Sequence, residues 1–198
     1  MSAEKPEIDT LSGAMIVVDK NNPKGSGIVP AGKPMRGAYR LVSSVDLTNL
    51  LYEVGSRSPQ NGEVATAIGD AANDDPLFPA RADGAEWTAA LLTAIGIKAS
   101  GLHTSLISID KGAYGLFQIR VPKGYKVMAN DLLLPKTAAY FAIDLVRQSI
   151  LRSASRPVYE RLQWFVDPNG ELPVQDSFRK GMEYMAFAED LRRRLVSR

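Results

Sequence analysis

The sequence predicts a mainly α-helical protein with a small β element. Apolar residues recur at helical spacing in successive segments after Ser44. Between residues 102 and 136 that spacing lapses, which leaves room for a short strand or turn within 114–121. Residues 1–43 read as a loop-rich N-terminal extension and residues 44–198 as the folded domain.

Each element follows from a local signal. Residues 1–40 carry Pro6, Pro23, Pro30 and Pro34 together with five glycines, a turn-forming composition. Met15-Ile16-Val17-Val18 is the one short apolar run there and suits a strand. Val45, Leu47, Leu50, Leu51 and Val54 then fit one helix, and Gly55 is its stop. Val64, Ala65, Ile68 and Ala72 fit a second. Pro76 and Pro79 mark residues 73–83 as a connection. Asp83-Gly84-Ala85-Glu86 reads as a capping box opening a third helix. Trp87, Leu91, Ala94, Ile95 and Lys98 lie on its face, and Gly101 is where a left-handed cap would close it. Pro135 suits the start of a helix carrying Ala138, Phe141, Ala142, Leu145 and Ser149 on one side. Pro157 suits another, running to about Phe165. Asp167-Pro168-Asn169-Gly170 is a turn. Phe178, Met182, Met185, Glu189 and Leu191 imply a final helix. Its Arg192-Arg193-Arg194 end complements the helix dipole and reads as a solvated terminus.

Composition limits the chemistry. The chain has 198 residues, 24 Lys plus Arg against 22 Asp plus Glu, and a net charge of +2. So even a balance argues against a dedicated nucleic-acid binder, though not against a local basic groove. With 45% hydrophobic and 23% charged residues, a folded globular chain is expected. There are no cysteines, which removes disulfides, thiolate metal sites and thiol nucleophiles. His103 is the single histidine, so neither a His-rich metal site nor a Ser-His-Asp triad is expected. No metal or organic cofactor is implied. The first residues lack the basic start and apolar run of a signal peptide. No stretch approaches the roughly 18 apolar residues of a spanning helix, so no membrane span is expected.

The informative stretch is residues 94–145. Ile97-Lys98-Ala99-Ser100-Gly101 ends a helix, Gly112-Ala113-Tyr114-Gly115-Leu116-Phe117-Gln118 follows, and Asn130-Asp131-Leu132-Leu133-Leu134-Pro135 opens the next helix. In this order the three resemble the motifs of the lysozyme-like lytic transglycosylase family, which includes soluble lytic transglycosylases and goose-type lysozymes. Those motifs are a helix ending in Glu-Ser-Gly, then Gly-Ala-x-Gly-Leu-x-Gln, then an Asp-Leu-x-x-Pro-like run. The second is met at Gly112, Ala113, Gly115, Leu116 and Gln118. The resemblance covers about residues 86–150. Later, only Asn169-Gly170 and Tyr184 suggest family positions, and residues 1–80 match nothing.

The resemblance implies an α+β lysozyme-like fold. Helices would pack around a central helix at 87–100, with a small β element near 106–122 and a glycan groove beside 115–118. It implies cleavage of peptidoglycan between N-acetylmuramic acid and N-acetylglucosamine, with glycan strands as partner. The setting would be the cell wall, whether periplasmic, secreted or phage-delivered. It implies that Ser100 orients the acid or a sugar group, and that Gln118 hydrogen-bonds substrate. Gly112 and Gly115 would admit a close backbone approach to the sugar or serve only a turn. Tyr114 or Phe117 would face a sugar ring, with core packing equally open to Phe117. Trp164 would line the groove or pack. Arg120, Lys123 and Lys126 would meet peptide-stem carboxylates or form a solvated loop. His103 reads better as a loop or capping residue than a catalytic one, and Trp87 as core.

One departure dominates. The family's catalytic glutamate position is Ala99. Cleavage needs a carboxylic acid to protonate the leaving oxygen, and a methyl group has no proton to give. Three explanations stand. Ala99 is an engineered substitution, made to trap substrate in an otherwise normal enzyme; the chain is a natural pseudoenzyme that binds glycan without cutting; or the acid comes from Glu53, Glu63, Glu86 or Asp110. A different class of function is also open, a structural component of a secretion or phage assembly built on the same fold.

Overall fold

The computed structural model describes residues 7–8, 15–16, 39–153, 155–156 and 160–197. Six α-helices are present among them: α1 Ser44–Glu53, α2 Asn61–Asp74, α3 Gly84–Ser100, α4 Pro135–Arg152, α5 Gln163–Val166 and α6 Val174–Val196. Strands β1 Glu7–Ile8 and β2 Met15–Ile16 pair antiparallel, with Glu7 opposite Ile16. Strands β3 Ile107–Ser108, β4 Ala113–Tyr114 and β5 Ile119–Arg120 form a second antiparallel sheet in the order β3-β4-β5. The protein is therefore mainly α with a small β element, as expected. No helix among the described residues is long and apolar enough to cross a membrane.

α3 is the hub. Residues from Gly84 to Gly96 are buried on nearly every side, Trp87 excepted. Such all-round burial marks a helix enclosed by others rather than one packed by a single stripe. α6 runs along it in the most extensive helix contact among the described residues, and α2 and α4 pack on it as well. The one-face expectation holds for Leu91, Ala94 and Ile95, which are buried, but Lys98 is exposed. Gly101 closes the helix at φ 63°, donating to Ile97 O, and Leu102 donates to Gly96 O. Glycine takes that left-handed state without a Cβ clash.

The start of α3 differs from expectation. Asp83 is the N-cap, yet its side chain makes no capping bond. Arg81 takes the carboxylate at 2.8 Å and Arg192, from the end of α6, takes it at 2.9 Å. Two guanidiniums hold the carboxylate in place of the helix amides, each bringing a full positive charge to it. Arg192 also lies over the Trp87 ring at 5.2 Å and pairs with Glu189. It is a tie between α6 and α3 rather than a solvated end.

The other helices keep their signals with smaller corrections. Ser43 caps α1 by accepting from the amides of Val45 and Asp46. Val45, expected on the apolar face, is 65% exposed, as is Met182 to a lesser degree. Pro135 opens α4 at its first turn. The helix expected from Pro157 to Phe165 is shorter. Pro157 lies outside the described residues, and regular helix begins at Gln163. The chain enters the body before α1. Tyr39 and Val42 are buried, and Asn73 holds this segment by exchanging hydrogen bonds with both backbone groups of Val42. Met15 and Ile16 lie in β2, while the rest of that expected run, Val17 and Val18, falls outside the described residues.

Candidate functional site

A cavity of about 310 Å³ opens beside the last turn of α3, at the lower end of the range for small-molecule sites. Three walls form it. α3 supplies Lys98 and Ala99, the small sheet supplies Ser108, Ala113, Phe117, Gln118 and Arg120, and α6 supplies Lys180, Glu183 and Tyr184. Phe165 and Val166 of α5, with Leu172, complete it.

Ala99 and Gln118 thus meet at one cavity although they come from separate motifs. Gln118 has φ 47°, a left-handed backbone rare for a non-glycine residue and concentrated at functional sites. Its amide is fully engaged. Nε2 donates to Leu106 O at 2.9 Å and Gly115 O at 3.0 Å, and Oε1 accepts from the Ser108 hydroxyl. Both amide hydrogens are spent inside the protein, so the expected donation to substrate is replaced by a strut that ties β3 to the 115–118 turn. Phe117 is both core and wall, lining the cavity at 2% exposure.

The remaining expected site residues lie elsewhere. Ser100 is buried, and its hydroxyl binds the carbonyls of Leu116 at 2.6 Å and Gly96 at 3.1 Å. It fastens the sheet to the end of α3 and does not line the cavity. Gly115, at φ 69°, approaches protein backbone rather than a ligand: a Cβ there would stand 1.9 Å from Leu132 O. Tyr114 sits in the sheet opposite Ile107 and Ile119, partly buried against the core. Trp164 is off the cavity and carries the Arg152 guanidinium 4.3 Å above its ring. Asn169 ties the loop after β5, accepting from Lys123 N and donating to Val121 O. Lys123 and Lys126 are exposed and off the wall. Arg120 is on the wall but lies 3.7 Å from Asp167 and 3.6 Å from Glu171. His103 is exposed, and its amide donates to Ser100 O just past the helix end.

None of the four alternative acids reaches the cavity. Glu86 shares α3 with Ala99, but 13 residues at 1.5 Å each separate them by about 20 Å. Glu53, Glu63 and Asp110 are exposed and off the wall. The carboxylate that does line the cavity is Glu183, half exposed and 3.5 Å from Arg179.

Of the α6 residues on the wall, Tyr184 was suggested by the resemblance, while Lys180 and Glu183 were not foreseen. Lys180, Glu183 and Tyr184 stand at i, i+3 and i+4 and so share a face. That spacing is visible in the sequence, but only the packing of α6 on α3 reveals what the face meets. Burial, reinforced by the Glu183 charge, pushes the Tyr184 phenol up to about 12. It therefore stays a neutral hydroxyl, able to donate and accept. Lys98 lies 5.1 Å from the centre of the Phe187 ring, a cation–π brace from the same helix. Among the described residues no group of three or more His, Asp or Glu is placed to hold a metal ion. No family model, curated protein or solved structure matches the chain.

Proposed function

We propose that the chain is a peptidoglycan-binding protein of the lysozyme-like lytic transglycosylase type, acting at the cell wall, and that as written it holds glycan strands without cleaving them. One observation carries the reading. Ala99 and Gln118, which the resemblance places beside the scissile bond, come from different elements and meet at one cavity. The apolar Phe117 side chain and a neutral hydroxyl from Tyr184 join them. Apolar side chains and neutral hydroxyls suit a sugar, which presents apolar faces and hydroxyl groups.

The missing proton donor sets the outcome. With glutamate at 99, a carboxylic acid would protonate the leaving glycosidic oxygen. The muramic 6-hydroxyl would then close a 1,6-anhydro end, or water would give a reducing end. General acid catalysis supplies typically about 10²- to 10⁴-fold. Glu183 is no substitute, since it lacks the closed, apolar surroundings a proton-donating carboxyl requires.

Co-sedimentation with purified peptidoglycan sacculi tests the binding. The chain as written pellets with the sacculi and releases no soluble muropeptides. Ala99→Trp, which fills the cavity from the last turn of α3, stays in the supernatant while keeping its helical circular dichroism. Equal pelleting of both would place the glycan elsewhere and refute the reading.

A further inference from the structure

A second cavity, of about 450 Å³, lies against the end of α3. One wall is the loop 54–59 between α1 and α2, and the other is Ile97 with Gly101, Leu102 and His103. Ile97 and Ala99 stand about 160° apart around the helix, so the two cavities lie on opposite sides of it. Both walls are held in place. Ser56 donates to Asn61 Oδ1 at 2.8 Å, Asn61 Nδ2 donates to Ser56 O at 3.3 Å, and Thr104 donates to Gln60 Oε1 at 3.1 Å. The last of these bonds ties the chain beyond α3 to the start of α2. Val54, Ile97 and Leu102 give the cavity an apolar floor, and no carboxylate lines it. Arg57 stands on the wall, and among the described residues its guanidinium has neither a hydrogen bond nor a carboxylate oxygen within 4.0 Å. Arg147, Arg192 and Arg194, by contrast, meet Asp75, Asp83 and Asp190. Ser58 Oγ accepts from Gln60 N, which leaves its own hydrogen to give. The His103 ring lies over the helix end, with Cδ2 3.7 Å from where a Cβ on Gly101 would stand.

We propose that this second cavity binds a small organic anion, an apolar ring system carrying one acidic group. The rings lie on Val54, Ile97 and Leu102 beside the His103 imidazole, and Arg57 receives the acid. Arg57 is the permanently charged group on the wall, and its planar fork can take two oxygens of an acid at once. A neutral ligand would leave that guanidinium without a partner, and an anion without rings would leave the floor in water. Apolar lining with a few placed polar groups, at this volume, is the usual build of a small-molecule site. The site shares no wall residue with the Ala99 cavity, so it stands independently of the glycan reading.

Fluorescence titration of the full chain with two probes tests this. Anilinonaphthalene sulfonate and phenylnaphthylamine share their rings and differ by the acid. The sulfonate saturates with blue-shifted emission and binds at least about tenfold more tightly than the neutral amine. Arg57→Met, at an exposed side chain, removes that margin and keeps the affinity for the amine. Ser58→Trp, which fills the cavity, weakens both probes at least about tenfold, whereas Ala99→Trp, on the other side of α3, weakens neither. Unaltered melting shows that the variants are folded, and if Ser58→Trp does not fold, the Arg57→Met margin decides. Equal affinity for the two probes, or a margin that survives Arg57→Met, overturns the anion site. Loss of the sulfonate in folded Ala99→Trp overturns its location.

Discussion

Gly115→Ala tests how the sheet is seated. The Cβ would lie 1.9 Å from Leu132 O, where real contacts do not fall below 3.0 Å, so something must move by at least 1.1 Å. That something is backbone in the 3₁₀ turn Ala129–Leu133, anchored by fully buried Leu132. Gly112→Ala is the control: its φ is also positive, at 55°, but nothing lies within 4 Å of its Cβ. Both substitutions carry the left-handed strain of about 1–2 kcal/mol, reduced by about 0.4–1 kcal/mol from the stiffer unfolded chain. Only Gly115→Ala adds the overlap, worth about 1–3 kcal/mol. For a domain of this size, each kcal/mol shifts melting by about 2–4 °C. Gly115→Ala should thus melt roughly 2–12 °C below Gly112→Ala in far-UV circular dichroism. It should also lose ligand, because Gly115 O accepts from both the backbone and side chain of Gln118. Melting at or above the Gly112→Ala value would refute the close approach.

Two further outcomes follow from buried polar groups. Glu86 is 5% exposed, its Oε2 has no partner, and burial holds its carboxyl above the ordinary range. A raised pKa means the folded state favours the protonated form, so stability is fullest below the ordinary glutamate range and lost as pH rises through the folded value. Glu86→Gln therefore raises the melting temperature at pH 7, and the gain disappears below about pH 4; a gain independent of pH would contradict this. Ser149 is fully buried, donating to Arg161 O and accepting from Phe165 N. Ser149→Ala orphans both and should destabilise by about 1–3 kcal/mol. It should also weaken ligand binding, since α5 carries Phe165 and Val166 on the cavity wall; a thermal melt and a titration check both.

What the sequence made legible was local. Gly101, Pro135 and the apolar spacing of Leu47, Leu50 and Leu51 each act within a turn or two of themselves, and each held. The capping box failed because Arg192 sits 109 residues from Asp83, and no local pattern reports that competitor. The same limit shaped the site. Ala99, Phe117 and Gln118 were readable from motif order, and they do line one cavity. Ser100, Gly115 and Trp164 were expected there because motif membership does not say which way a residue points. Ser100 points into backbone, Gly115 presses on Leu132, and Trp164 underlies Arg152. Tyr184 was suggested by the resemblance, but Lys180 and Glu183 carried no signal of their own, because their place on the wall depends on α6 lying along α3.

On the proposed reading, the Ala99 position is where a proton donor would act on a bound glycan strand. The direct measurement is peptidoglycan digestion by the chain and by Ala99→Glu, with products read by mass spectrometry. The chain as written should release nothing and Ala99→Glu should release muropeptides, with 1,6-anhydro ends marking a lytic transglycosylase and reducing ends a lysozyme. Release by the alanine chain itself would contradict it, because the acid would then lie elsewhere. Failure of a folded, sacculus-bound Ala99→Glu to release anything would contradict it too.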